Sequence, residues 1–248
     1  MIDIIAELGY GSYSTVWLAR DKRTKQYAVL KVCIEQNDDE PSPVLNEVNM
    51  LQRMKKFAEA ANHPGLCFIR LANDIFELHT SSGRHCCIVS KPQAHSLRTL
   101  QTAFSNAKVP KLLVRSLMHR LFFAINWLHA TCNLIHTGLI RVQGDDASLK
   151  DIEDQEAQDP NISIISNSGV HVYPSREPFL ELGGIPILTD FGQLRDDDGR
   201  INRDWIMPDL YRAPEVFLQI PWTFQVDMWS VGVKMLIKKL PNRIRPTA

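Results

Sequence analysis

Three short segments near the start of the chain alternate apolar and polar residues, and they are the feature that most constrains the fold. They lie at 5–8, 14–19 and 27–32, and turn-forming residues at 20–25 separate the second from the third. A period of two residues is typical of a strand with one buried face. Strands joined by connections this short pair antiparallel. The sequence therefore predicts a three-stranded antiparallel sheet within residues 4–34.

The next part of the chain predicts one helix and two more strands. Residues 44–54 carry apolar side chains at helical spacing, and His63-Pro64-Gly65 ends that pattern. Strand-like segments follow at 67–78 and 85–89. The first part of the chain is thus expected to form a small antiparallel sheet with one helix.

From residue 111 onward the pattern becomes helical, in a stripe that ends near His129. Residues 145–160 are markedly acidic, which predicts a solvated helix or loop. Residues 161–186 predict an ordered insertion, and the largely apolar segment 227–237 predicts a buried helix. The apolar stripe consists of Leu112, Leu113, Leu117, Leu121, Ile125 and Leu128.

Charge and cysteine content exclude several classes of protein. The 28 basic residues balance the 28 acidic ones, so bulk charge predicts neither direct nucleic-acid binding nor membrane binding. The five cysteines form no Cys-x-x-Cys pair, which argues against a disulfide framework or a zinc site and favours reduced thiols. Cys86 and Cys87 are expected to pack in a core. No signal peptide or membrane-length apolar run is visible, so an intracellular location is expected.

A glycine-rich segment and a lysine provide the first functional pattern. Gly9, Gly11 and Val16 lie between two predicted strands, where glycine allows the backbone to approach phosphate groups. The pattern alone also fits a plain turn. Lys31 on the third strand strengthens it, because a lysine there, paired with a glutamate on the next helix, holds nucleotide phosphates in phosphotransferases. Glu47 is the well-placed acid on that helix.

A second pattern lies far along the chain. An apolar segment at 187–189 leads into Asp190-Phe191-Gly192, and a carboxylate at such a position can hold Mg²⁺ against phosphate oxygens. By itself the tripeptide could be a simple turn. Its position after the other motifs, and before Ala213-Pro214-Glu215 and Asp227, favours the metal-binding interpretation.

In this order the motifs resemble those of the SR-protein kinase family of serine/threonine kinases, in its fungal form. The resemblance covers residues 4–238. Its most specific parts are LGYGSYSTVWLARD at 8–21 and MPDLYRAPE at 207–215, with HT at 136–137, PW at 221–222 and VDMWSVG at 226–232.

The resemblance implies a bilobal α+β kinase fold with an ATP cleft between the lobes. The sheet lobe would span 1–90, and the helical lobe would span 91–248 with an insertion at 144–186. ATP and Mg²⁺ would be the cofactors, and proteins rich in Arg-Ser repeats, such as splicing factors, the partners, in the cytoplasm, the nucleus or both. ATP would contact Gly9, Gly11, Val16, Lys31 and the hinge residues Lys91 and Gln93, while Glu47 would pair with Lys31 and Asp190 would bind Mg²⁺.

The expected catalytic loop departs from the family pattern. Where the family has Asp, Lys and Asn, this chain has Gly138, Ile140 and Gln143, so no catalytic residue is retained in the loop. Loss of a general base costs about 10²–10⁴ in rate, and loss of the other two groups adds to this. Arg141 is a possible substitute cation, but nothing in the sequence fixes its direction.

Three hypotheses remain open at this point. The chain could be an ATP-binding pseudokinase that acts as a scaffold or competitor. It could be an active serine/threonine kinase in which another residue replaces Gly138. The altered loop, together with the end of the chain at Ala248, could also reflect a mispredicted or truncated version of an active kinase with an incomplete helical lobe.

Overall fold

The computed structural model of the chain gives ten described stretches, and the fold is built from these alone. They are 2–35, 42–81, 83–92, 104–105, 108–136, 140–142, 146–162, 164–165, 171–172 and 185–237.

A five-stranded antiparallel sheet forms the first part of the structure. Its strands are β1 (Ile2–Gly11), β2 (Ser14–Asp21), β3 (Tyr27–Glu35), β4 (Ala72–Thr80) and β5 (Gly83–Ser90). Their order across the sheet is β1-β2-β3-β5-β4. The predicted sheet is therefore confirmed, and the hairpins β1–β2 and β4–β5 follow from the short turns between their strands.

The fourth strand begins later than the sequence predicted. Residues Pro64–Phe68 form a 3-10 helix, in which Cys67 is exposed, and the strand starts only at Ala72. Pro64 fixes φ at a helical value and Gly65 fits against a neighbouring backbone, so the local turn overrides the strand-like pattern. The predicted start at residue 67 was wrong by five residues.

Helix α1 (Pro43–Ala60) lies between β3 and β4 in the chain and is longer than the predicted 44–54. Ser42 caps it, because its hydroxyl accepts a hydrogen bond from the Val44 N–H at 3.2 Å. Pro43 at the first helical position needs no hydrogen bond there. Val44, Leu51 and Met54 form the buried side of the helix.

The second part of the structure is mainly helical. Helix α2 (Lys111–Asn126) continues into one π-helical turn, Trp127–Thr131, where the Cys132 N–H donates to the Trp127 carbonyl. Most of the predicted stripe faces the core, whereas Leu112 is 79% exposed and lies outside it. The remaining strands are β6 (Leu134–Ile135), β7 (Ile140–Val142), β8 (Ile164–Ile165), β9 (His171–Val172), β10 (Pro186–Leu188) and β11 (Arg195–Asp196). They form small antiparallel pairs, β10 with β7, β11 with β6 and β8 with β9.

The acidic segment is helix α3 (Asp146–Gln158), and it is not simply solvated. Leu149 and Ile152 are buried and pack against Ala6 of β1 and Leu18 of β2. An amphipathic helix with a narrow apolar side is enough to dock in this way. Most of the predicted insertion at 161–186 lies outside the described residues.

A short 3-10 helix (Asp209–Tyr211) and helices α4 (Pro214–Phe217) and α5 (Gln225–Ile237) complete the described elements. Val226, Asp227 and Val231 of α5 are buried, whereas Met228 and Trp229 are 39% and 45% exposed. The prediction of a buried helix thus holds for one side of α5 only. The sequence did not predict which side of α5 is exposed, because apolar composition does not say which side of a helix packs against the rest of the chain.

Candidate functional site

Lys31 and Glu47 meet between the sheet and helix α1. The Lys31 Nζ lies 2.5 Å from the Glu47 Oε2, and their side chains are 26% and 11% exposed. Lys31 is placed by β3, where it pairs in register with Val16 on one side and Ile88 on the other. Glu47 lies on the buried side of α1, one turn into the helix. The structure therefore contains the predicted ion pair between Lys31 and Glu47.

The glycine-rich segment closes the β1–β2 hairpin beside this pair. Gly9 pairs in register with Val16, and Gly11 with Ser14. An added Cβ at Gly11 would meet nothing within 4 Å, so protein packing does not explain a glycine there. The hairpin tip is held to the end of β3, because the Ile34 N–H donates to the Tyr13 carbonyl at 3.0 Å. Gly11 thus leaves open space beside the backbone of the hairpin tip.

Asp190 follows strand β10, exposed, in a left-handed backbone conformation with φ of 69°. Aspartate tolerates this region better than most residues, although it still costs energy. The flanking residues Thr189 and Phe191 are both buried, at 3% and 2% exposure. The chain therefore turns sharply at Asp190, so that its neighbours are anchored and its carboxylate faces outward. Such strained residues concentrate at functional sites.

His136 connects this turn to the helical part. Its Nε2 lies 3.0 Å from the Thr189 carbonyl oxygen, and its ring meets the edge of the Phe191 ring at 5.6 Å between centroids. The Asp227 carboxylate accepts from the His136 backbone N–H at 2.7 Å and lies 2.9 Å from the His129 Nε2. Helix α5 thus fixes the residues just before 137–139, and these in turn fix the chain before Asp190.

These groups together could bind a magnesium–nucleotide complex. They offer a cation at Lys31, a carboxylate at Asp190 and a glycine hairpin. In the described part of the chain no three His, Cys, Asp or Glu side chains cluster as a metal site. Mg²⁺ commonly uses one or two carboxylates together with phosphate oxygens and water, so the single Asp190 fits that ion and not a metal held by protein alone.

Comparison with known proteins adds to this geometry. No protein-family model matches the chain. A serine/threonine protein kinase of Aspergillus fumigatus is 33% identical over 92% of this chain and 55% of its own length. Protein kinase dsk1 of Schizosaccharomyces pombe is 28% identical over 71% of the chain and 33% of its own, and serine/threonine-protein kinase SRPK of Physarum polycephalum is 26% identical over 92% and 58%.

The chain is a homologue of serine/threonine protein kinases. Its five-stranded sheet with helix α1, followed by a helical part, is consistent with a bilobal kinase fold. The chain spans about half the length of the curated relatives it matches. Among the described residues, no helix has both the length and the apolar character to cross a membrane.

Some predicted site residues of this kinase homologue lie outside the described structure. These are Gln93 of the expected hinge, and Gly138 and Gln143 of the expected catalytic loop. Lys91 is described and lies exposed just after β5. The backbone of β7 is also described, and Ile140 and Arg141 pair with Leu188 and Ile187 of β10. The described part of the altered loop, residues 140–142, therefore pairs with the strand that leads to Asp190.

Sequence reasoning missed one residue of this candidate site. The side-chain amide of Asn46 donates to the carbonyl oxygens of Gly192 at 2.8 Å and Leu194 at 3.3 Å. In the sequence Asn46 only flanked Glu47, and it carried no expected role. The signal that could have found it is its place on α1, one position before the residue that pairs with Lys31.

A second unpredicted arrangement orders the segment before helix α4. The Arg212 guanidinium donates to the carbonyl oxygens of Ile206 and Met207 at 3.1 Å and 2.7 Å. It also contacts the Asp209 carboxylate at 2.6 Å and lies 4.0 Å from the Trp205 ring centroid. Met207 has a φ of 65°, which a bulky residue adopts only where its surroundings impose it. Arg212 supplies that constraint by holding both neighbouring carbonyls.

Proposed function

We propose that this chain binds ATP with Mg²⁺ in the cleft beside the five-stranded sheet, and that as written it is a pseudokinase. The observation that carries the proposal is the Lys31–Glu47 ion pair, formed between β3 and α1 at 2.5 Å. Both side chains are largely removed from water, so the pair loses hydration that its mutual attraction has to offset. A nucleotide phosphate beside Lys31 gives a functional reason to keep such a pair.

Lysine suits this role because its ammonium group has three donors and behaves as a point charge. Glu47 uses one donor and holds the side chain in place, and the remaining donors can face phosphate oxygens. Val16, which neighbours Lys31 in register, would lie against the base or sugar. Gly9 and Gly11 would allow the hairpin backbone to approach the phosphates. These roles are part of the proposal.

Asp190 would hold the Mg²⁺ that bridges the phosphates. Its exposure fits a ligand that shares the ion with phosphate oxygens, and its strained φ fits a functional position. Lys91 and Gln93 would belong to the hinge that faces the adenine. An intracellular location goes with this proposal.

The pseudokinase assignment rests on sequence alone. Gly138, Ile140 and Gln143 provide neither a carboxylate to accept the proton of a substrate hydroxyl nor a lysine to steady the phosphate. Loss of the base costs about 10²–10⁴ in rate. Binding without phosphoryl transfer follows, and Arg-Ser-rich or splicing-related proteins would be bound as partners. The name SRPK of one relative supports that partner class.

An active serine/threonine kinase is the second candidate, and the relatives favour it because they are named as kinases. In this case the chain would belong to an enzyme that transfers phosphate from ATP to protein serine, and its altered loop would be a misprediction. The retained Lys31, Glu47 and Asp190 serve that reaction equally well. Only a transfer assay separates the two candidates.

The first test is nucleotide-dependent stabilisation. With ATP and Mg²⁺ at about 100 times the dissociation constant, binding stabilises the native state by about 2.7 kcal/mol. Lys31→Met is expected to weaken ATP binding roughly 10- to 100-fold, because it removes a charged donor. Lys56→Met, at an exposed position of α1, is the matched control and should bind as the wild type does. Absence of any stabilisation in the wild type would refute the proposed site.

The second test is phosphoryl transfer to an Arg-Ser peptide with labelled ATP and Mg²⁺. The pseudokinase proposal expects nucleotide binding without incorporation of label. Incorporation that disappears in Asp190→Ala would instead establish the active kinase. Incorporation that persists in Asp190→Ala would point to a contaminating enzyme and would leave the pseudokinase proposal standing.

A further inference from the structure

The turn at Asp190 is attached to helix α1 along that helix's first two turns. An added Cβ at Gly192 would lie 3.4 Å from the Pro43 carbonyl oxygen and 3.9 Å from the Glu47 Oε2, so this glycine packs directly against the start of α1. Phe191 belongs to the same buried cluster as Val44 of that helix. The turn and the helix therefore approach each other closely at Gly192 and share one buried cluster.

Asn46 supplies the polar part of this contact. Its amide donates to the carbonyl oxygens of Gly192 at 2.8 Å and Leu194 at 3.3 Å. The turn between these carbonyls is closed by the Leu194 N–H, which donates to the Phe191 carbonyl at 3.2 Å. The Asn46 side chain thus forms hydrogen bonds to both ends of the segment 192–194, which follows Phe191.

A second polar link between α1 and this segment is weaker. Arg53 forms an ion pair with Asp196, but the two side chains are 38% and 31% exposed. Solvent screens such a pair, and pairs of this kind contribute little to stability. Asn46 is only partly exposed and its two acceptors are backbone carbonyls, so its hydrogen bonds are the ones expected to hold the turn.

Asn46 also lies next to Glu47 in the helix, whose carboxylate holds Lys31. Glu47 therefore contacts Lys31 of the sheet, and the adjacent Asn46 contacts the turn after Asp190. A shift of α1 would move both contacts together. The spacing between the ammonium group of Lys31 and the carboxylate of Asp190 then depends on one rigid element.

We propose that Asn46 is a positioning residue that fixes Asp190 relative to the Lys31–Glu47 pair, through the hydrogen bonds of its amide to Gly192 and Leu194. Asp190 is thereby kept in the orientation that Mg²⁺ bridging the phosphates requires. This inference rests on the proposed nucleotide site, but the attachment of the turn exists without nucleotide and can be measured separately.

The first arm of the test uses hydrogen exchange of the protein without nucleotide. Asn46→Asp removes both donors at nearly constant shape, and Asn46→Ala is the milder alternative if the charged variant does not fold. Amides at 191–196 are expected to exchange about tenfold faster in these variants, with 14–21 of β2 unchanged. Asn49→Ala, at an exposed position of the same helix, should leave both regions as in the wild type. Unchanged exchange at 191–196 would overturn the inference, whatever nucleotides do.

The second arm compares dissociation constants for Mg²⁺–ATP, for ATP with a chelator, and for adenosine, by calorimetry. Asn46→Ala is expected to weaken Mg²⁺–ATP binding about tenfold and to leave adenosine binding within about twofold, because only the metal-dependent contact is misplaced. Equal loss for all three ligands would show a merely structural role and overturn the inference. A wild type that binds none of them would refute the proposed function, while the exchange arm would still decide the attachment.

Discussion

At the residue scale, burial decides the chemistry of the cysteines. All five are free, and four are buried among side chains of the sheet and of the π-helical turn. Burial raises the pKa of the Cys33 thiol and of the Cys132 thiol to about 12, because the thiolate would lose its hydration. Burial likewise raises the pKa of Cys86 and of Cys87. These four residues behave as small apolar side chains, as the sequence indicated for Cys86 and Cys87.

Cysteine reactivity should therefore be confined to one position. At pH 8, iodoacetamide is expected to alkylate the exposed Cys67 at least about tenfold faster than Cys33 or Cys132, because the reaction needs an accessible thiolate. Peptide mass spectrometry measures the modification at each position over time. In urea, all five cysteines should react at similar rates. Equal reactivity of Cys33 and Cys67 in the native protein would contradict the burial of Cys33.

At the scale of elements, helix α3 shows how a short apolar side can attach an acidic helix to a sheet. Leu149 and Ile152, three residues apart, are on the same side of the helix and pack against Ala6 and Leu18. Glu153 beside them forms an ion pair with Arg20, whose side chain is 32% exposed. Glu153 also accepts a hydrogen bond from the Tyr27 hydroxyl at 2.7 Å. A partly exposed ion pair contributes about 1 kcal/mol or less, so we expect the apolar contact to be the main attachment.

A pair of isoleucine variants tests this attachment. Ile152→Ala is expected to lower the free energy of unfolding by about 2–5 kcal/mol, because it removes a side chain with 0% exposure and leaves a cavity. Ile162→Ala, at a position that is 84% exposed, should change it by less than about 0.5 kcal/mol. Urea unfolding followed by tryptophan fluorescence measures both. Equal, small effects would mean that α3 does not rest on the sheet.

At the scale of the whole molecule, a few backbone contacts join the sheet to the helical part. The Arg70 N–H donates to the Leu188 carbonyl at 3.0 Å, close to Asp190. Gly65, in the 3-10 helix after α1, lies so close to α2 that an added Cβ would be 2.1 Å from the Phe123 carbonyl oxygen. A carbonyl in the middle of a helix cannot move aside easily. Gly65 therefore sets how closely the two parts approach.

Substitution of Gly65 should separate the two parts. Gly65→Ala is expected to destabilise the protein by about 1–3 kcal/mol or more, because the added methyl group overpacks against α2. Gly232→Ala on α5 is the matched control: an added Cβ there meets nothing within 4 Å, and alanine favours the helix by about 0.5–1 kcal/mol. The midpoint temperature of thermal unfolding should thus fall in Gly65→Ala and rise in Gly232→Ala. If Gly65→Ala left the stability unchanged, Gly65 and α2 would not be this close in solution.

Much of the fold could be predicted from local patterns. Alternation in β1 to β3 and helical spacing in α1 and α2 are signals carried within each segment. Boundaries were less accurate, since the start of β4 depends on the turn at Pro64 and the end of α1 depends on contacts beyond residue 54. The exposed side of α5 was missed because its neighbours, and not its composition, decide which side is buried.

The residues singled out in the structure also differ in whether the sequence could predict their role. Lys31, Glu47 and Asp190 could be predicted as candidates because each lies in a short motif with a known chemical use. The role of Asn46 could not be predicted, because its partners are backbone carbonyls, and that of Gly192 is 146 residues away. The close packing of Gly65 could not be predicted either, because it depends on a backbone carbonyl of α2. A backbone carbonyl leaves no trace in residue identity.

The sequence by itself determined the strand and helix pattern, the side chains of the proposed nucleotide site and the absence of a carboxylate at position 138. The tertiary structure alone decided that α3 rests on the sheet, that Asn46 holds the turn after Asp190, and which side of α5 is buried. The physical reason is that periodicity and residue type act over a few neighbouring residues, whereas burial and hydrogen bonding to distant backbone exist only after the chain has folded.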